Sequence, residues 1–417
     1  MSNRKLADSI LALIVFLIAA SVAHADGANS CIDCHKLLPD KLGAPVTNFD
    51  KDVHAAHGLS CADCHGGDPL DPESTAMAPE KGYRGAPKRN EIPQFCGRCH
   101  SDEYYMRRFA PQLPTDQESQ YRTSIHGQLL SRGDPKVATC LDCHGVHPVL
   151  APSQSDSPVF PANVPRTCAR CHADAAYMKD YGIPTNQFAQ YQTSSHGIRL
   201  LVKRDLGAAA CNDCHGNHGA YPPKAESVAA VCGQCHALNQ EYFAKSPHKA
   251  AFARLGLPDC ATCHGKHEIP PEVPDDVLGV GDVAICVTCH TPESKGYAVA
   301  KALRERLESL KSMIAKGQSA LDAAERAGME VGNARYDFQG ARQALVQARN
   351  VTHAASFEEL DKVVRQGESV ANAAIQSGNN ALAENHSRRR LLLIPLAAIG
   401  FVMGLLYLKI REIDRQS

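Results

Sequence analysis

The sequence predicts a mainly α-helical chain with extensive loops, closed by long antiparallel helices and one C-terminal transmembrane helix. Three observations predict it. Eighteen of the 417 residues are cysteine, and all of them fall in closely spaced pairs. Residues 294–387 are rich in alanine and charged side chains and contain neither cysteine nor proline. Leu391 to Leu408 is a run of eighteen residues without a charge.

The N-terminus sets the compartment. Arg4 and Lys5 precede an unbroken apolar run, Ile10 to Ala20, and Ala23-His24-Ala25 has the small-x-small cleavage pattern. Residues 1–25 read as a secretory signal peptide, with the mature chain starting at Asp26. The run is short for a membrane span. Export explains how so many cysteines are tolerated. A net charge of −1 speaks against nucleic acid or any strongly charged partner. Tryptophan is absent and aromatics are 6% of the chain, so large core-forming side chains are scarce.

The cysteine pairs carry the chemistry. Each is Cys-x-x-Cys followed at once by histidine: CIDCH (31–35), CADCH (61–65), CGRCH (96–100), CLDCH (140–144), CARCH (168–172), CNDCH (211–215), CGQCH (232–236), CATCH (260–264) and CVTCH (286–290). Disulfides would not require a histidine after every pair. Zinc knuckles are used two at a time, and nine is odd. A thioredoxin motif occurs once, in a βαβ setting. What remains is covalent haem c, with two thioethers to the porphyrin and an axial imidazole from the adjacent histidine. The attachment cysteines are then Cys31, Cys34, Cys61, Cys64, Cys96, Cys99, Cys140, Cys143, Cys168, Cys171, Cys211, Cys214, Cys232, Cys235, Cys260, Cys263, Cys286 and Cys289. The proximal ligands are His35, His65, His100, His144, His172, His215, His236, His264 and His290. Cys31 to His290 spans 260 residues, about 29 per haem, too few to build nine separate pockets. A multihaem cytochrome c domain over 26–292 with a haem-stacked core is the expectation, with short helices joined by long loops.

The motifs recur in a larger repeat. Tyr121-Arg-Thr-Ser-Ile-His126-Gly matches Tyr191-Gln-Thr-Ser-Ser-His196-Gly, and Ser246-Pro-His248 and His54-Ala-Ala-His57-Gly are worn versions. Each precedes a CxxCHG motif, and the last three of these extend to CHGxH, adding His147, His218 and His267. A plain CxxCH follows each. The domain therefore reads as four two-haem units with one extra haem, Cys31–His35, leading. The distal candidates are His54 and His57, His126 and His147, His196 and His218, and His248 and His267, one pair per unit. The leading haem lacks a local partner. His353 is the candidate preferred for it over Met106 and Met178, whose place in the repeat is taken by Phe243 in the third copy. His147 follows too closely on His144 to cross the porphyrin plane of its own haem, so it is expected to reach another.

Residues 293–387 form a helical segment. Leu303, Leu307, Leu310, Ile314 and Leu321 make a heptad-like stripe, Gly328 and Gly332 bracket a break, and Ser356-Phe-Glu-Glu359 fits a capping box. Residues 388–409 follow as the transmembrane helix, flanked by Arg388, Arg389 and Arg390 and by Lys409 and Arg411, and 410–417 form a cytoplasmic tail.

On the CxxCH, CHGxH and Y-x-x-S-x-H-G motifs, with the helical segment and single span, the chain resembles the membrane-anchored multihaem c-type cytochromes of bacterial respiratory chains. The resemblance implies bis-histidine, low-potential haems facing the periplasm from the inner membrane. It implies electron transfer between a quinone pool, through a cytochrome b or other quinone-linked membrane subunit, and periplasmic acceptors. Octahaem enzymes acting on nitrite or hydroxylamine belong to the same group. This chain has no CxxCK motif and no tyrosine signature of a crosslinked haem. An electron carrier is the expectation. The alternative is a reductase of a small nitrogen or sulfur oxyanion with the leading haem as its open site.

Overall fold

A computed structural model describes residues 29–224, 227–270 and 277–416. The expected signal peptide, 1–25, and the last residue of the expected tail lie outside the described residues. No strand occurs among the described residues. The chain forms two compact units: one runs to Pro222 and includes His267–Ile269, and the other holds Pro223–Lys266 and the chain from Pro270 onward.

Among the described residues of the first unit the helices are short, the longest being the nine-residue Ile92–His100 and Val164–His172. Their purpose is local. One helical turn places the first cysteine, the cysteine three residues on and the histidine four residues on along one face. The aspartate inside CADCH, CLDCH and CNDCH helps form that turn. Asp63, Asp142 and Asp213 each accept from the backbone N–H of the residue before the first cysteine, at 2.7 Å in all three cases. That contact is one arm of a capping box. After the histidine, the CHG glycine closes the turn at positive φ, +82° at Gly145, where a side chain would be strained.

The second unit carries the last three motifs and the helical segment. Lys295–Arg326 opens on Ser294, whose hydroxyl accepts from the Tyr297 N–H at 3.2 Å. The chain turns through Gly328 and returns by Gly332–Asp337 and Gln339–Val351. Phe357–Gln416 then starts on Ser356, which accepts from the Glu359 N–H at 3.3 Å. Consecutive helices alternate in direction, as their short connections require, so the first and last run parallel to each other.

The leucine stripe is the core of this bundle. Leu303, Leu307 and Leu310 pack with Ala348, Val351, Leu360 and Val364, and Leu321 and Ala324 pack with Phe338, Ala341 and Ala371. The alanines let the helices approach closely. Arg306, 17% exposed, bridges the parallel pair: its guanidinium donates to Asp361 at 2.5 Å and to Glu368 at 2.5 and 2.9 Å. The distal part of the last helix leaves the bundle and exposes Leu391, Leu392, Leu393 and the apolar residues after them. It is long and apolar enough to cross a membrane.

Candidate haem-binding sites

All eighteen cysteines are free of disulfides. Among the described residues no cluster of three or more His, Cys, Asp or Glu side chains is arranged to hold a metal ion by itself. Zinc-knuckle pairing of the motifs, which needs four converging ligands, finds no support in this arrangement.

The histidines instead come in facing twos. His54 faces His100 at 6.0 Å between ring centres, His126 faces His172 at 6.1 Å, and His248 faces His290 at 5.9 Å. His65 faces His147 at 6.3 Å, His144 faces His218 at 6.1 Å, His215 faces His267 at 6.0 Å, and His264 faces His353 at 6.0 Å. The spacing is informative. A metal–imidazole bond of about 2 Å on each side, plus about 1.1 Å from nitrogen to ring centre, adds to about 6.2 Å. The seven pairs therefore leave room for one iron each, and in every pair one member is the histidine of a CxxCH motif. The residues fit c-type haem.

Two rules of pairing emerge. The histidine of the S-x-H segment faces the plain CxxCH histidine of its own repeat: His54 with His100, His126 with His172, His248 with His290. The CHGxH histidine faces the CxxCHG histidine of the repeat before: His147 with His65, His218 with His144, His267 with His215. His264 has no later repeat to draw on, and His353 takes that place. Two of the candidate histidines stand beside other partners than those nearest in sequence. His353, expected at the leading haem, stands opposite His264. His57, expected at an iron of the first repeat, packs edge-on against Phe109 at 6.1 Å, while His54 and His147 face that repeat's two motif histidines. Met106 and Met178 are buried at 7% and 6% exposure, and Phe243 is buried like them. His196 and His236 occupy the corresponding S-x-H and plain-motif positions.

Backbone contacts impose the second rule. Val53 N–H donates to Val149 carbonyl at 2.8 Å, Ile125 to Ala220 at 3.2 Å, and Ser195 to Ile269 at 2.8 Å. In each case the acceptor lies two residues after a CHGxH histidine, so each repeat holds the CHGxH histidine of the next. The last copy has Pro247 at the donor position. Proline has no N–H to offer, and no further repeat needs one.

The Y-x-x-S-x-H-G residues have local roles. Tyr121 and Tyr191 donate through their hydroxyls to Ala138 and Ala209 carbonyls at 2.8 and 2.9 Å, tying the distal helix to the approach of the next CxxCHG. Ser124 and Ser194 are buried N-caps that accept from the Gly127 and Gly197 N–H groups, both at 3.0 Å. A Cβ on either glycine would stand 2.0 or 1.8 Å from the tyrosine carbonyl oxygen, so no other residue fits.

The ring chemistry suits iron ligation. Burial pushes His100, His126, His144, His172, His215, His218, His248 and His264 below the ordinary imidazole range, toward the neutral form that binds iron. His35, His65 and His353 donate Nδ1–H to the carbonyls of Leu42, Gly85 and Asn350 at 2.9, 2.9 and 3.0 Å. Each is left with an unprotonated Nε2 for the metal.

Sequence reasoning missed Asp52. It N-caps the His54 helix and accepts from His54 Nδ1 at 2.9 Å. Burial would raise its carboxyl, but the imidazoles of His147 and His54 and two backbone N–H groups outweigh that and hold it far below the carboxylate range. Aligning Asp52-Val-His54 with Ser124-Ile-His126 marks the cap, but nothing local signals the link to His147.

The motif cysteines form a relay within each unit. Cys61 lies near Cys31, Cys64 near Cys99, and Cys143 near Cys168, while Cys96 contacts Cys140 and Cys168 contacts Cys211. In the second unit Cys260 contacts Cys232, and Cys263 lies near Cys286. Successive attachment points therefore lie side by side.

No curated protein and no solved structure matches the chain. The family described as cytochrome c3 matches residues 53–182 and 203–291, more than half the chain and eight of its nine CxxCH motifs. With paired imidazoles at iron-spanning distance and adjacent attachment cysteines, the chain belongs to the cytochrome c3 family and is a multihaem electron-transfer protein with covalently bound c-type haem.

Proposed function

We propose that the chain carries nine haems c and acts as a membrane-anchored periplasmic conductor. It would move electrons between the quinone pool, through a cytochrome b or other quinone-linked subunit, and soluble periplasmic partners. The seven facing imidazole pairs carry this reading, because a bis-histidine iron is coordinatively full and suited to electron transfer. His65, His100, His144, His172, His215, His264 and His290 are the proximal ligands of those seven haems. His147, His54, His218, His126, His267, His353 and His248 are, in the same order, their distal partners. His35 and His236 are the remaining proximal ligands, and His196 and His57 the remaining candidate distal ones. The haem iron supplies the one-electron redox chemistry. The chain orients His35, His54, His65 and His353 through Nδ1, and brings haem edges close together through neighbouring cysteines. The exposed apolar stretch of the last helix, bracketed by basic residues, is the anchor in the inner membrane.

The test is ligand removal read by EPR on the full haem-loaded protein. His353→Ala is expected to convert one low-spin haem to high-spin, with resonance changes confined to the Cys260–Cys263 haem. His147→Ala should do the same at the Cys61–Cys64 haem. If either variant keeps the wild-type low-spin count, the pairing is wrong.

A further inference from the structure

Asp52 does more than cap a helix. Its side chain is only 3% exposed and lies between two histidines that face different motifs. Oδ1 accepts from the His54 backbone N–H and from His54 Nδ1, both at 2.9 Å. Oδ2 accepts from the Val149 N–H at 2.7 Å and lies 4.0 Å from His147 Nδ1. His54 faces His100, and His147 faces His65. In the other repeats the same position is Ser124, Ser194 or Ser246, whose hydroxyls donate to carbonyls in the last turn of the preceding helix. Only the first repeat puts a charge there. A second observation singles out the same place. In the CHGxH series and its His353 equivalent, the facing rings lie at 6°, 11° and 27°, whereas His147, the member beside Asp52, stands at 49° to His65.

We propose that Asp52 is a positioning residue shared by two haems, and that its carboxylate lowers the potentials of the Cys96–Cys99 and Cys61–Cys64 haems together. The proposal rests on the bis-histidine reading above. A carboxylate that accepts Nδ1–H makes the imidazole a stronger donor to iron. It also places a negative charge near the metal in a low-dielectric setting. Both effects favour the ferric state, which carries one more positive charge. The effect is larger at the Cys96–Cys99 haem, because His54 is hydrogen-bonded whereas His147 is 4.0 Å away. Arg98, next to Cys99, donates to the Cys64 carbonyl at 2.9 Å, so these two haems have neighbouring attachment points. They form one low-potential step between the leading Cys31 haem and the Cys140 haem.

Asp52→Ser imitates the other three repeats and keeps the cap, while Asp52→Asn keeps the shape and removes the charge. Both are compared with wild type in the full haem-loaded protein, by spectroelectrochemical titration with EPR at each step. Two one-electron steps are expected to rise, the larger by at least a tenfold change in the oxidised-to-reduced ratio at fixed potential, about 59 mV. The remaining steps stay in place, and all irons keep their spin state. Unchanged potentials with every iron low-spin would overturn the proposal and leave the bis-histidine reading intact. A rise in one step only would overturn the sharing. A high-spin haem in both variants would show that Asp52 merely holds its histidines, which also defeats the proposal. The bis-histidine reading fails separately, if His54→Ala and His147→Ala leave the low-spin count unchanged.

Discussion

The helical bundle and the haem repeats are built on opposite terms. In the bundle, Leu307, Leu310, Leu321, Leu360 and Val364 are 0–2% exposed, and the buried set is apolar. In the repeats the buried apolar residues include a small cluster of Ala162, Tyr191, Leu200 and Ala210, and the buried polar residues of the described chain all fall there: Asp52, Ser124, Thr139, Ser157, Ser194, Ser246 and Asp259. Several of these cap or tie the turns that carry histidines. The bundle thus gains its stability from apolar area removed from water, at about 25 cal/mol per Å². The repeats spend their buried positions on shaping ligand-bearing turns and leave the apolar filling to porphyrin. One chain thus contains a region whose core is built from its own apolar side chains and a region in which such side chains are fewer.

Three experiments press on that contrast, from the largest expected effect to the smallest. Replacing both Cys140 and Cys143 with alanine removes one haem from the middle of the first unit. The intact mass should fall by one haem, and limited proteolysis should open the chain before Pro222 while sparing Lys295–Arg326. If the first unit stays as resistant as wild type, the repeats do not depend on haem for their core. Leu310→Ala strikes the other region. It should cost about 2–5 kcal/mol of bundle stability by denaturant unfolding, the range for a fully buried leucine. The haem absorption of the first unit should not change. Coupled loss of haem signal there would refute the separation.

Arg306→Met tests the polar side of the bundle. The salt bridges to Asp361 and Glu368 are neither fully buried nor exposed, so about 1–3 kcal/mol is expected. Hydrogen bonds from Arg306 hold both carboxyls below their ordinary range. The stability they supply is therefore present above the unfolded-state carboxylate pKa, about 4, and is lost as pH falls through the depressed folded values. Wild-type bundle stability should decline over that acid range. The variant should lack this component, and parallel curves for the two proteins would contradict it.

Much of this was readable in the sequence, unevenly and for physical reasons. A CxxCH motif is five residues on one helical turn, so its chemistry is local and needs no knowledge of the fold. The leucine stripe and the Ser356 cap are likewise local periodicities, and the helices form where they predict. Distal histidines could be nominated from the repeat, because S-x-H and CHGxH recur at fixed offsets. Their partners could not be assigned. His54 and His57 both lie just upstream of the first-repeat motifs, and only the fold shows that the Val53–Val149 contact brings His147 from the next repeat to face His65 while His57 packs on Phe109. His353 lay equally outside local reasoning, and a turn of the bundle carries it to His264.

Covalent chemistry and helix propensity follow the order of residues along the chain. They were settled by the sequence of this protein, down to the haem type and the apolar last helix. Which imidazole faces which depends on distances between residues of different repeats. Those distances are set by packing and by a few long-range backbone hydrogen bonds, so only the tertiary structure could decide them. It also placed one buried carboxylate, Asp52, between His54 and His147.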